Sequence, residues 1–255
     1  MGDILVVADT QASNETPTEH LKALSRYICQ HKPDKIVHIG DHWDFPSLSS
    51  HAPVLKKEGR RLVNDLKGGF KALDLIMYNT LVKYNFATKR KLEPYYPEKY
   101  FIMGNHENRL NRFLEENPVL CGLIDIKSEI ESMGWMVYDF LKPLWLDEIC
   151  FIHYLPNTES SKAVGGSIEN KLNKFSHSFV HGHQQKYQYG RRQNMQGKPH
   201  FGVCAGSFYL HDEAYRGANN TEQRGFVHMR SYENRFGYLD HDVEFVSIER
   251  LLEQY

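Results

Sequence analysis

The chain is poor in cysteine. Its four residues, Cys29, Cys121, Cys150 and Cys204, are widely spaced and form no CxxC pair. That argues against a disulfide framework and against a cysteine zinc site, and it fits a reducing, cytoplasmic setting. No apolar run approaches the roughly 18 residues of a membrane span. Ile4–Ala8 is too short for a signal peptide and runs straight into Asp9. Neither sign of charge is in excess: 31 Lys and Arg face 32 Asp and Glu, a net charge of -1. Bulk charge therefore does not mark a strongly basic nucleic-acid binder. Local basic clusters at Lys56, Lys57, Arg60 and Arg61, and at Lys186, Arg191 and Arg192, read as solvated surface. There is no internal repeat and no low-complexity tract.

What is present is a chain of 255 residues, enough for one large domain with a real core, at 41% hydrophobic and 25% charged residues. Histidine is the compositional oddity, with 14 residues, several of them at the ends of apolar runs.

Ile4–Ala8 reads as a buried strand, Glu19–His31 as an amphipathic helix stopped by Pro33, and Lys35–Ile39 as a second strand. Strand, helix, strand suggests a βαβ unit in a parallel-type sheet. Two helices are expected at Gly59–Leu66 and Phe70–Lys83, broken at Gly68-Gly69, before a third strand at Tyr100–Met103. The stretch 45–100 is long for a simple crossover and reads as a helical insert near the site. Further helices are expected at Asn108–Glu116 and Ile168–Phe175, with a mostly helical stretch at Leu120–Met133. Strands are expected at Trp135–Tyr138, Leu144–Leu146, Ile149–His153, Ser178–His181 and Phe201–Cys204. Within 208–255, Gly225–Tyr232 and Val243–Ile248 suggest a hairpin around Asn234–Gly237. Periodicity alone gives a mixed α/β protein.

The polar residues with chemistry recur in one place, just after an apolar strand. Asp9, Asp41 with Asp44, Asn105 with His106, His153 and His183 each follow such a run. In open α/β sheets the carboxyl ends of strands are where ligand sites form. One strand-end histidine alone would be an ordinary hydrogen-bonded residue; the repetition carries the signal.

The local words are Asp9-Thr-Gln11, Gly40-Asp41-His-Trp-Asp44, Gly104-Asn105-His106-Glu107, the lone His153, and Gly182-His183-Gln-Gln185. In order and spacing they resemble the motifs DxH, GDxxD, GNHE, His and GHxH of the calcineurin-like metallophosphoesterases, over roughly residues 3 to 210. Asp44-Phe-Pro-Ser-Leu-Ser and Asn105-His-Glu-Asn-Arg-Leu look like members encoded by bacteriophages, which would place the protein in a host cytoplasm. The resemblance implies a two-sheet α/β sandwich flanked by helices, as one domain over 1–255 with 45–100 at the site rim.

It also implies divalent metal ions, one or two per chain, with Mn²⁺ foremost and Mg²⁺, Fe, Zn²⁺ or Ni²⁺ as alternatives. Asp41 would bridge, and Asn105, His153 and His183 would complete one site. His106 would assist the leaving oxygen and Asp44 would orient it. Arg109 would reach a substrate phosphate. Asp9 and Asp41 belong to the second site, but the family's two histidines there are Gln11 and Gln185 in this chain. A neutral amide oxygen is a weaker ligand than imidazole for Zn²⁺. That site is therefore expected to be weak, selective for Mg²⁺ or Mn²⁺, filled only with substrate, or empty. His181 shares a strand face with His183 and is a possible stand-in, though packing is its simpler role. The expected partner is a phosphoester, with a nucleotide or nucleic-acid end included. The alternatives are a nuclease acting on strand ends and a degenerate scaffold protein.

Overall fold

A computed structural model describes residues 2–49, 59–79, 95–212 and 223–255. Their strands form two sheets. The six-stranded sheet is ordered β11-β10-β1-β2-β3-β4. Its members are β1 (Ile4–Val7), β2 (Lys35–His38), β3 (Glu98–Ile102), β4 (Met136–Tyr138), β10 (Gly225–Glu233) and β11 (Leu239–Ser247). The five-stranded sheet is ordered β5-β6-β7-β9-β8. It comprises β5 (Leu144–Leu146), β6 (Ile149–Ile152), β7 (Ser178–His181), β8 (Tyr187–Gln193) and β9 (Pro199–Ala205). Strands β1 to β4 run parallel, as do β6, β7 and β9. Their carboxyl ends therefore gather on one rim.

Alternation along each strand builds the layers. Ile4, Val6 and Ala8 face inward, where they meet Val37, Ile39 and Ile102 and, across the gap, Phe151, Val180 and Val203 of the other sheet. Leu5, Val7 and Ile36 face outward against α1 (Glu19–His31) and α2 (Leu62–Asn79). On the far side Phe179 and Cys204 pack on Ile168 and Leu172 of α5 (Ile168–Lys174). The central strands are apolar on both faces because both are covered. The layout is two sheets face to face with helices outside, the α/β sandwich expected.

Helix α2 corrects one expectation: Gly68-Gly69 does not break it. A Cβ on Gly68 would lie 2.4 Å from the Asn14 amide nitrogen, and one on Gly69 would lie 1.7 Å from the Trp43 indole nitrogen. The two glycines let the helix pass close over the 13–14 backbone and the Trp43 ring, and this packing outweighs their poor helix propensity. Within 45–100, helix α2 lies in the helical layer against α1, and the stretch ends in β3. The remainder, 50–58 and 80–94, falls outside the described residues, as does the expected helix end at Lys83.

Helix α3 (Asn105–Glu116) starts three residues before the expected Asn108, so the Asn-His-Glu word is its first turn. The stretch expected to be mostly helical from Leu120 holds only α4 (Ile126–Ser132) after a single 3₁₀ turn at Pro118–Leu120. Strand β8 has no counterpart among the expected strands: Tyr187 and Tyr189 turn to the core, but Arg191, Arg192 and Gln193 leave its second half exposed. Helix α6 (Ile248–Gln254) closes the described chain. Among the described residues no helix is long and apolar enough to cross a membrane.

Candidate metal centre

The rim of parallel strand ends carries the strand-end residues read from the sequence. Two backbone crossings fix its shape. The Asp9 amide donates to the Gly40 carbonyl at 3.1 Å, and the Gln11 amide donates to the Asp41 carbonyl at 3.0 Å. Gly40 has φ +79°, and a Cβ there would lie 2.4 Å from the Gly104 nitrogen, so the β2 and β3 turns touch backbone to backbone. Asp9, Gln11, Asp41, His183 and Gln185 all have positive φ without being glycine. Strain of this kind concentrates where a side chain must be aimed.

Glu107 holds the GDxxD turn together. Its buried carboxylate accepts the amides of Asp41 (2.9 Å), His42 (2.8 Å), Trp43 (3.0 Å) and Gly104 (2.6 Å). Its four backbone partners leave no signal in the sequence. His42 and Thr10, to which the sequence assigns no role, lie in a buried network under the turn. His42 donates to the Gly69 carbonyl at 2.9 Å, and both His42 and Thr10 contact His38, at 3.2 and 2.7 Å.

Above this base, ligand atoms of Asp41, His153 and His183 lie within 4.8 Å of one another. Asn105 sits between the two rings. Its Oδ1 accepts from His153 Nε2–H at 2.9 Å and from His183 Nδ1–H at 2.8 Å. His153 Nδ1–H donates to the Ile39 carbonyl at 2.8 Å, and His153 Nε2 is 3.3 Å from Asp41 Oδ1. An imidazole whose outer N–H is fixed on a backbone carbonyl is oriented as metal-ligating histidines are.

The electrostatics are those of a cation-seeking pocket. Burial opposes the charge on Asp41, but His106 and His153 beside it hold its carboxyl well below the usual range. Burial likewise opposes a charge on His153; the Asp41 carboxylate, Asp9 and the Ile39 carbonyl outweigh it and lift the imidazole to about 9. Both nitrogens of His153 then carry protons, and the inner one occupies the place a metal would take. Burial and the charge of His153 push His183 down to about 4, leaving it neutral. Asp9 is pushed up to about 8 by burial and by the negative charge of Asp41. A divalent ion would reverse that balance.

His106 lies beside this group. Its amide donates to Asp41 Oδ1 at 2.9 Å, and its Nε2 is 3.7 Å from Asp41 Oδ2. Its Nδ1–H reaches the Trp43 carbonyl at 3.2 Å and lies 3.7 Å from Asp44 Oδ1. The backbone carbonyl, not the Asp44 carboxylate, is thus the hydrogen-bonded partner. Arg109 donates to His106 Nε2 at 2.8 Å and to the Asp44 carbonyl at 3.2 Å.

On the other flank, the His183 amide donates to Asp9 Oδ2 at 2.8 Å. Asp9 Oδ1 and both amide atoms of Gln11 are buried without a partner among the described residues. Gln185 Oε1 accepts the Tyr209 hydroxyl at 3.0 Å, a contact that nothing in the sequence signals. His181 is not turned toward the site: its Nδ1–H donates to the Gly182 carbonyl at 2.8 Å and its Nε2 accepts from buried Lys171 at 2.9 Å. A carboxylate, an amide oxygen and two imidazoles converging on one point suit a divalent transition metal, so the residues fit one such ion.

A search of the curated proteins found no match. Among solved structures the chain is similar to Vps29 of Chaetomium thermophilum, at 10% identity and a TM-score of 0.39, covering 96% of this chain and 95% of that one. It is similar also to YfcE, a phosphoesterase from E. coli, at 12% identity and a TM-score of 0.39, covering 96% and 99%. The family model for calcineurin-like phosphoesterases matches residues 2–201. With that match over most of its length, the chain belongs to the calcineurin-like phosphoesterase family.

Proposed function

We propose that the protein hydrolyses a phosphomonoester or phosphodiester with metal-activated water. The observation that carries this is the convergence of Asp41, His153 and His183 within 4.8 Å around the Asn105 oxygen. Asp41, Asn105, His153 and His183 hold the ion. When bound, it supplies positive charge to the phosphoryl group and lowers the pKa of a water. Mn²⁺ is the first choice for this donor set, with Fe or Zn²⁺ next.

His106 is the general acid. The Trp43 carbonyl fixes its Nδ1–H, so Nε2 is the nitrogen left for proton transfer to the leaving oxygen. Protonated there, it can no longer accept from Arg109. The guanidinium is then released to meet phosphate oxygens in its planar fork. Asp44, whose Oδ1 lies 3.7 Å from Nδ1, helps to hold the orientation of the ring. The near-neutral chain suits a small phosphoester, such as a nucleotide or a nucleic-acid end, better than a long duplex.

The test uses metal-stripped protein with Mg²⁺, Mn²⁺, Zn²⁺ or Ni²⁺ added back. The substrates are p-nitrophenyl phosphate and its bis ester, with an oligonucleotide carrying a terminal phosphate as a third. Metal-restored turnover that disappears in Asn105→Ala and His153→Ala is expected. No turnover with any metal and no metal bound would sink the reading in favour of a scaffold protein. Salt-sensitive cleavage of the oligonucleotide alone would favour the nuclease.

A further inference from the structure

The family resemblance leads to the expectation of a second ion beside the first, on Asp9, Asp41 and the side chains at positions 11 and 185. The residues present do not fit it. The single ligating atom of Gln185 is Oε1. It accepts the hydroxyl of Tyr209 on one of its two lone pairs and is held toward that residue, which is fully buried with the Arg224 guanidinium 4.8 Å from its ring centre. One oxygen of Asp9 is taken by the His183 amide. Gln11 is fully buried and offers a neutral amide in place of an imidazole.

The atoms left over are mixed in kind. Gln11 Nε2 and the buried Ser207 hydroxyl can donate, whereas Asp9 Oδ1 and Gln11 Oε1 accept, and none of the four has a partner among the described residues. Ser207 belongs to the same corner, because the amide of its neighbour Phe208 donates to the Asp9 carbonyl at 3.1 Å. A cation can use the acceptors only and would leave the Gln11 N–H and Ser207 O–H donors unsatisfied. A donor–acceptor mixture is satisfied by a neutral, water-sized group. A second divalent charge would have only the Asp9 carboxylate, a share of Asp41 and neutral amides around it, so burying it there would also be costly.

We propose that the protein holds one metal ion per chain, at Asp41, Asn105, His153 and His183, and that Tyr209 closes the second place by holding the Gln185 carbonyl toward its own hydroxyl. The proposal rests on the hydrolase reading for the first ion and departs from the expected two-ion centre for the rest. Tyr209 is a positioning residue: it touches no reacting atom, and it sets what Gln185 can bind.

The experiment counts metal. Apoprotein is saturated with Mn²⁺, freed of loose ion and analysed for Mn²⁺ per chain, and its electron paramagnetic resonance spectrum is recorded. One ion per chain with the six-line signal of an isolated Mn²⁺ is expected. Gln11→His, Gln185→His and Tyr209→Phe combined should bring the count to two and give an exchange-coupled signal. Should that variant not fold, Gln185→His with Tyr209→Phe makes the same comparison, and the wild-type count stands by itself. Two coupled ions in the wild type would overturn the proposal and leave the hydrolase reading intact. A folded variant that still holds one ion would overturn the role given to these three residues. No ion at all in the wild type would remove the metal-dependent reading and this proposal with it.

Discussion

The guanidinium of Arg109 donates to Nε2 of His106 at 2.8 Å, one helical turn away on α3. The pair ties a phosphate-sized positive fork to the ring nitrogen proposed as proton donor. His106→Ala should therefore lower kcat by about 10²- to 10⁴-fold while metal content stays unchanged. Loss of metal instead would make His106 a ligand. Arg109→Lys keeps the charge and loses the planar fork, so KM should rise as kcat falls; unchanged kinetics would remove Arg109 from the phosphate.

Glu107 accepts from four backbone amides in the turn that presents Asp41. Each buried donor left unmade costs about 1–3 kcal/mol. Glu107→Ala should lower unfolding free energy by at least about 3 kcal/mol in urea and weaken metal binding along with it. A stable variant with normal metal affinity would show that water replaces the carboxylate without loss.

Gly69 packs under Trp43, where an added Cβ would come within 1.7 Å of the indole nitrogen. Gly69→Ala ought to gain ~1 kcal/mol of helix propensity. We expect instead a net loss of about 1–3 kcal/mol from overpacking, read by urea denaturation. A more stable variant would mean that Trp43 moves freely.

Two buried histidines outside the ligand set impose an acid limit. His20 is pushed down to about 4, chiefly by burial. His228 is pushed to about 4 by burial and by the charge of Arg230. Unfolded, each takes a proton near 6.5. Between about 6.5 and 4 the unfolded chain therefore binds more protons than the native one, and stability falls as pH falls through that window. Above 6.5 their contribution is fully present. Urea midpoints measured from pH 7.5 to 4.5 should decline, and His20→Leu should flatten the slope. An unaltered slope would assign the acid sensitivity to other groups.

Much of the site is legible in the sequence, because Asp9, Asp41, Asn105, His153 and His183 each sit where an apolar run stops. Strand periodicity fixes such positions locally. What stays hidden depends on residues distant in sequence that meet in space. Gly68-Gly69 looks like a helix breaker until Trp43, some 26 positions earlier, is seen beneath it. Tyr209 is an ordinary core aromatic until its hydroxyl is found on Gln185. Helix α3 starts three residues ahead of its expected place, since Gly104 as N-cap gives no side-chain signal and Glu107 caps it from within. Strand β8 leaves only a short periodic trace, because Tyr187 and Tyr189 face the core while the rest of this edge strand is polar.

The ligand contacts span the chain. Asp9 meets His183 across 174 positions, Ile39 meets His153 across 114, and Asn105 meets His183 across 78. No early, local fragment can assemble such a centre; both sheets must already have docked. An ion that binds only the finished arrangement then acts as a clasp on the last step of folding. It should raise the unfolding free energy of both sheets together, growing with the logarithm of free metal concentration. The same ion that serves the chemistry would act as a sensor of whether the chain has folded correctly.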